Sequence, residues 1–328
     1  MRNGVAGYLV RKIRTGVCAC FLFLISYLLF PAFLSAETLR IASYNIQNYT
    51  LEHRMVDGRR ESDYPKPEKE KTALRSIIRA VNPDVLALQE IGGSEYVEEL
   101  KRDLAAEGSS YPFIATVAGP DGKRQLAILS RKPFKSTTPI SAIPVRYKGT
   151  EGHVSRGLLA VSFDTEAGEL TLYTLHLKSR LTVDKSDPEA VTQRNAEATA
   201  IRNLVRARHA ADPQALFLIC GDFNDQTTSG TLRRFTNIGQ ASFLTMLPVR
   251  DSRGETWTYR NRRDDYYSRS DYILCSPALI KTLDSAKNAT VANHHPSGRI
   301  VDIPGTDIAS DHRMVYVDII LPTSTKAP

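Results

Sequence analysis

Two stretches of the chain are built alike. Each runs strand, helix, buried strand, and each stops in amides or carboxylates just past an apolar run. The first covers Leu39 to Gln89. Leu39–Ile46 reads as a strand. Leu74, Ile77, Ile78 and Val81 recur at helical spacing within a helix from about Pro67 until Asn82-Pro83 stops it, and Asp84–Gln89 reads as a buried strand. The second covers Leu170 to Cys220. Leu170–Leu177 is a strand, Asp187-Pro188 opens a helix to about His209, and Ala215–Cys220 is another buried strand. That helix is expected to turn Val191, Ala198, Ile201 and Leu204 inward. Strands interleaved with helices imply sheets covered by helices, with the chemistry gathered at strand ends.

The rest of the chain fills in around these units. Ser94 is expected to cap a helix whose apolar face is Val97, Leu100 and Leu104, ended by Gly108. Phe113–Val117, Leu126–Leu129, Leu158–Phe163, Asp271–Cys275 and Arg313–Ile320 read as strands, and Ala167-Gly168 as a turn. Thr50–Lys66 reads as a polar, Arg-rich loop. One domain is expected from Glu37 to Leu321, followed by a polar tail at 322–328. No repeat of fixed period and no low-complexity linker interrupts it.

The first 36 residues stand apart. They hold no Asp or Glu, begin with Arg2, Arg11, Lys12 and Arg14, continue through the apolar run Val17–Leu34, and end in Ser35-Ala36. This is the layout of an export signal. An uncleaved anchor is the other reading, because the apolar run could nearly span a bilayer. Either way the remainder is expected outside the cytoplasm, periplasmic or extracellular. With the signal removed, no stable membrane association is expected, and a monomer is. Removing this segment lowers the formal charge from +7 to +3. The basic balance is therefore mostly targeting, and nucleic-acid contacts must be argued locally from Arg59-Arg60 and Arg260 to Arg263. Cys220 and Cys275 each end an apolar run, as buried thiols do, although an exported protein could join them, and no cysteine spacing suits a metal.

Polar residues collect where the apolar strands stop: Asn45, Glu90, His176, Asp222 with Asn224 in GDFND, Asp271, and Asp311-His312. Any one alone is an ordinary turn, cap or core residue. Together they match what phosphate-ester hydrolysis requires. The anion repels hydroxide, so a hard cation must mask its charge. A base must deprotonate the attacking water, and amide and imidazole donors must hold the phosphoryl oxygens as charge builds. Mg²⁺ takes oxygen ligands and keeps several waters, so one or two carboxylates suffice. Mn²⁺ or Ca²⁺ are alternatives. Zinc lacks both H-E-x-x-H and a cysteine cluster.

IASYNIQNY, DVLALQE, TLHLKS, ICGDFND, SDYIL and SDHRMVYVDI, in this order, resemble the endonuclease/exonuclease/phosphatase superfamily. The resemblance spans about residues 38 to 321. It implies a four-layered α/β sandwich of two packed mixed sheets flanked by helices, and a metal-dependent phosphoric ester hydrolase. By the same resemblance, Asn45, Glu90 and Asp311 are the metal-side residues. Asp222 orients or deprotonates the water, and Asn224 gives its amide to the phosphate. His312 faces the phosphate, oriented by Asp271. His176 is the second histidine of the deoxyribonuclease, phosphatase and sphingomyelinase branches. Arg156, in Ser155-Arg156, resembles a phosphate-contacting residue, with a plain strand-edge arginine as the other reading. One departure stands out. The glutamate that supports the second histidine in pancreatic-type deoxyribonuclease is replaced here by Lys123, Arg124 and Gln125.

Three functions are open at this point. A secreted nuclease acting on DNA or RNA is favoured by the arginines named above and by the Arg- and Tyr-dense stretch Tyr259–Arg269. A phosphatase or phospholipase C-type hydrolase would use the same catalytic set. A sphingomyelinase-like enzyme should add an exposed aromatic hairpin, which the sequence around Trp257 does not suggest. A catalytically dead binding module should have lost one of Glu90, Asp222, Asn224 or His312, and all four are present.

Overall fold

The computed structural model describes residues 37–288 and 297–321. The segments read above as export signal or anchor (1–36) and polar tail (322–328) lie outside the described residues. Among the described residues, no helix is long and apolar enough to cross a membrane.

Two large mixed sheets carry the fold. The seven-stranded sheet runs, edge to edge, Val249–Arg250, Gly298–Ile300, Val315–Leu321, Glu37–Tyr49, Val85–Ile91, Gln125–Ser130, Phe113–Val117. The six-stranded sheet runs Thr245–Met246, Asp271–Cys275, Leu216–Asp222, Gly168–His176, Leu158–Thr165, Ser136–Ile140. The two like-built units of the sequence become the parallel pair at the centre of each sheet. Glu37–Tyr49 runs parallel to Val85–Ile91, and Gly168–His176 parallel to Leu216–Asp222. A parallel pair needs a long crossover, which is what each intervening helix provides.

Alternation along the strands sorts side chains into three cores. Leu39, Ile41, Val85, Ala87, Leu170, Leu172, Leu218 and Ile273 pack between the sheets. Ala42, Tyr44, Leu86 and Leu88 face away, onto helices Glu68–Val81 and Ser94–Ala106. Tyr173, Leu175, Phe217 and Ile219 face helices Val191–Arg208 and Gly230–Thr236. The result is a four-layered α/β sandwich. Each fully buried Leu or Ile stabilises by about 1.5–3 kcal/mol. A one-residue slip would turn a whole stripe outward, so the inter-sheet stripe holds the register that the polar strand ends depend on.

Several expectations are corrected. The stretch after Thr50 is an exposed β-hairpin, Glu52–Val56 with Arg59–Tyr64, turned by Asp57-Gly58. The stretch Tyr259–Arg269 also forms a hairpin, Tyr259–Asn261 with Tyr266–Ser268. Tyr266 and Tyr267 stand 41% and 42% exposed on it, so an exposed aromatic hairpin exists where none was expected. Ser94 is the first helical residue, and Gly93 occupies the cap without a side-chain bond. Val191 is exposed. Asp187 instead precedes a short 3₁₀ turn, Pro188–Ala190, whose left-handed Glu189 and Ala190 separate it from the helix, leaving Val191 at the helix's exposed first position. The inward face of the following helix then carries Arg194, Glu197, Ala198, Ile201 and Val205.

Gly221 is required at its position. Its φ is +144°, and a Cβ there would lie 2.0 Å from the Leu175 carbonyl oxygen of the neighbouring strand. Gly221→Ala is therefore expected to destabilise by about 3 kcal/mol or more, from backbone strain and overpacking together. A thermal melt measures this. An unchanged midpoint would mean that the two backbones do not approach this closely.

Candidate active site

The site is the polar end of the inter-sheet stripe. Asn45 continues Leu39, Ile41 and Ser43, His176 continues Leu170, Leu172 and Thr174, and Asp222 continues Leu218 and Cys220. Asp271 opens the stripe that holds Ile273. Register aligns them: His176 pairs with Asp222, and Asp222 with Asp271. Glu90 is out of phase, since alternation would send it with Leu86 and Leu88 toward the helices. A register shift between Gln89 and Ile91, with Glu90 itself at φ +64°, turns it into the site.

Three nitrogens converge on Asp222 Oδ2. Asn45 Nδ2 donates to it at 3.0 Å, His176 Nε2 lies at 3.5 Å and His312 Nε2 at 3.7 Å. The other oxygen accepts the Asn224 backbone N–H at 2.8 Å. Burial pushes the Asp222 carboxyl up to about 7 against the opposing pull of His312, and Asp271 adds to the rise. His312 Nδ1 sits 2.9 Å from Asp271 Oδ2. Burial alone would lower the His312 pKa, but the charges of Asp271 and Asp222 override it and raise it well above the imidazole range. His312 is thus a fixed cationic donor whose Nε2 faces the cleft. Its backbone is tied down as well: its N–H donates to Ser310 Oγ, which donates to the Asn45 carbonyl. His176 is the opposite case. Burial, then the charges of Arg156, His312, Arg124 and Lys178, lower its pKa well below the usual value, leaving it neutral. Its Nδ1 has no hydrogen-bond partner among the described residues. Gln125, one of the residues near the expected place of the supporting glutamate, donates instead to the Gly122 carbonyl.

Glu90 and Asp311 form the other side. Glu90 accepts Asn45 Nδ2 at 3.3 Å and the Asn48 N–H at 2.9 Å. Burial raises the Asp311 pKa, and Glu90 adds to it while His312 opposes. Glu90 and Asp311 both line the cleft and offer carboxylate oxygens, which suits a hard divalent cation. A second set also has metal-like spacing: Asp222, Asp271 and His312 present ligand atoms within 4.8 Å of one another. In that set His312 Nδ1 and Asp271 Oδ2 already face each other at 2.9 Å, so Glu90 and Asp311, with Asn45 beside them, are the better cation site.

A buried polar layer lies one step deeper. Gln89 Nε2 donates to Ser43 Oγ at 3.2 Å and across the sandwich to Thr174 Oγ1 at 3.0 Å. Ser43 and Thr174 stand two residues before Asn45 and His176, so Gln89 ties the two halves of the site to each other. Cys220, in the same layer, and Cys275 are buried free thiols.

The site floors a cleft of about 1450 Å³. Arg124, Arg156, Lys178, Arg180 and Arg263 line its wall. Arg156 is buried and paired with Asp121 at 3.1 Å. The other arginines singled out from sequence are elsewhere. Arg260 is bound by Asp265, and Arg262 donates to the Asp307 and Ser310 carbonyls. Arg59 and Arg60 stand on the exposed hairpin and do not line the cleft. Sequence reasoning missed Lys178 and Arg180, and it named Arg124 and Tyr259 without giving either a place in the site. The Tyr259 ring lies 4.9 Å from that of His312. Of the two missed, only Lys178 had a signal, two residues beyond His176 in TLHLKS.

A sequence search of curated proteins finds no match. Solved structures with similar folds include a Bacteroides thetaiotaomicron endonuclease/exonuclease/phosphatase family protein, at 16% identity and TM-score 0.60 over 88% of this chain and 100% of that one. They also include beta toxin from Staphylococcus aureus, at 15% and 0.57 over 85% and 98%. The catalytic domain of human Nocturnin with a bound sulfate anion matches at 17% and 0.54 over 86% and 93%. At these identities the likeness shows the fold. The sequence model of the Endonuclease/Exonuclease/phosphatase family matches residues 42–312. Its members are phosphoesterase hydrolases, generally divalent-metal dependent, and this chain belongs to that family.

Proposed function

We propose that the chain is a secreted, Mg²⁺-dependent phosphodiesterase acting on nucleic acid. The observation that carries this reading is a row of cations beside the catalytic floor, set among the carboxylates Asp121, Glu189, Asp225 and Asp264 that pair with several of them. Arg124, Arg156, Lys178, Arg180 and Arg263 line one continuous cleft with Asp222, Asn224 and His312. Guanidinium and ammonium groups spaced along a cleft suit a substrate with repeated phosphates. The half-exposed Tyr266, which also lines the cleft, adds a flat face of the kind on which bases stack. The sulfate in the Nocturnin domain is a tetrahedral anion bound on the same fold. Export rests on the layout of residues 1–36.

In this mechanism Asp222 takes the proton from the attacking water. Asn224 and His312 donate to the phosphoryl oxygens as negative charge grows, and Asp271 keeps the His312 ring in the orientation that leaves Nε2–H facing the substrate. His176, neutral, donates from Nε2 at the same point. Arg156 holds a phosphate oxygen. A divalent cation held by Glu90, Asp311 and Asn45 supplies positive charge that offsets the phosphate's own.

The first test is a substrate panel of plasmid DNA, single-stranded DNA, RNA, sphingomyelin vesicles and bis(4-nitrophenyl) phosphate, each with Mg²⁺ and with EDTA. Hydrolysis of sphingomyelin alone would overturn the nuclease reading. The second is salt dependence. Inert Asp222→Asn protein titrated with labelled duplex should give a log–log slope near −0.9 per phosphate neutralised, or about −2.7 for three contacts. Arg180→Ala and Arg263→Ala, which line the cleft, should each flatten it by about one unit, whereas Arg260→Ala should leave it unchanged because Arg260 does not line the cleft. A flat slope would move the reading to small phosphate esters.

A further inference from the structure

We infer that Glu197 and Arg194, on helix Val191–Arg208, are positioning residues for the phosphodiesterase reaction proposed above, on which this inference rests: they clamp the Lys178 peptide and thereby aim the Asn224 amide. Both side chains are buried, at 0% and 1% exposure. One turn apart on a helix, they could pair with each other. Instead both reach outward to Lys178, and each also binds a loop of its own. Glu197 Oε2 accepts the Lys178 N–H at 2.7 Å, while Oε1 accepts the Ser155 N–H at 3.0 Å and the Ser155 hydroxyl at 2.6 Å. Arg194 Nη1 donates to the Lys178 carbonyl at 3.3 Å and to the Glu189 carbonyl at 2.8 Å, and Nε donates to Asp225 Oδ2 at 3.2 Å.

The Lys178 peptide groups are therefore gripped at both ends from one helix. The neighbouring Leu177 carbonyl is what the Asn224 side chain binds, Nδ2 to O at 3.0 Å, and its N–H donates to the Asp222 carbonyl. Asn224 itself is flanked by Asp222 and by the Asp225 that Arg194 holds. One rigid helix thus sets both the acceptor that orients the Asn224 amide and the loop that carries it. Burying two charges is costly, and apolar replacements of such groups are often neutral or stabilising. Their use here is to hold backbone where the reaction needs it held, since displacements near 1 Å lower rates steeply.

The test is a double-mutant cycle on bis(4-nitrophenyl) phosphate. Glu197→Gln can accept with only one oxygen, so one of its two anchors is lost. In an otherwise wild-type, folded protein, kcat should fall about 10-fold or more. In an Asn224→Ala background the same change should cost less than about 2-fold, because the group it positions is gone. A purely structural role would give the same factor in both backgrounds, and that result, or an unchanged kcat in the single variant, would overturn the inference. Ser155→Ala removes one of the three bonds to Glu197 at a half-buried site. It should show the same pattern on a smaller scale, which keeps the test decisive if Glu197→Gln does not fold. Full coupling to Asn224 lost in both variants would again overturn it. A wild-type protein that hydrolyses no phosphodiester would instead overturn the reading on which the inference rests.

Discussion

His312→Ala is expected to lower turnover at least about 100-fold in protein that still folds, the usual effect of removing a transition-state donor. The expectation comes from how the ring is held. Asp271 fixes Nδ1 at 2.9 Å, Ser310 fixes the backbone, and the surrounding carboxylates keep the imidazole charged. A donor oriented before the reaction starts spends little energy on reorganisation, so its removal is felt mainly in kcat. Asp222→Asn should cost a similar factor by removing the base. The double variant should lose less than the product of the two, because both groups act at one phosphate. Asp271→Asn should fall between wild type and His312→Ala, since the ring stays but its orientation and charge are no longer enforced. Steady-state kinetics on the best substrate of the panel, with circular dichroism to verify folding, measures all of these. A folded His312→Ala protein with near-normal turnover would remove His312 from the reaction.

Removing the divalent cation is expected to abolish activity, and Glu90→Gln to lower it at least about 100-fold at limiting Mg²⁺. Glu90 and Asp311 both line the cleft, and the charge of Glu90 helps to raise the Asp311 pKa. A cation relieves that repulsion, so binding should raise the melting temperature of the wild type. At 100-fold excess over Kd the gain is about 2.7 kcal/mol. Glu90→Gln should lose this shift. In EDTA the same variant should melt above the wild type, because one of the two repelling charges is gone, a trade of stability against activity. Full wild-type activity in EDTA after exhaustive metal removal would sink the metal-assisted mechanism. A Glu90→Gln protein that keeps the Mg²⁺-dependent melting shift would move the cation site to Asp222, Asp271 and His312.

Where sequence reasoning succeeded and where it failed has one physical boundary. Asn45, His176 and Asp222 could be read because each continues a period-two stripe of buried residues on its own strand. Glu90 was found through its motif, but its direction was not legible, because a bulge and a left-handed residue reverse what alternation predicts. Arg260 and Arg262 looked like substrate contacts until Asp265 and the Asp307 and Ser310 carbonyls were seen to hold them. Nothing local in sequence says whether an arginine is already satisfied. Arg194 and Glu197 went unnoticed because apolar spacing marks only apolar residues; Arg194 lies on the same stripe as Ala198, Ile201 and Val205, and nothing in the spacing says that a charged side chain there is buried.

The sequence by itself determined the two strand–helix–strand units, the stripes that stack them, and most of the polar residues at their ends. Those features follow from backbone periodicity and from burial of apolar side chains, which act over a few residues. Only the tertiary structure decided which polar ends meet. Asn45 and Asp222 are 177 residues apart in the chain and 3.0 Å apart in the site. That meeting depends on two sheets packing face to face in one register, with Gln89 reaching Thr174 beneath them. The cation wall is decided the same way, by loops from both sheets arriving at one cleft. No periodicity encodes such arrivals, because they are set by the sum of packing across the whole sandwich.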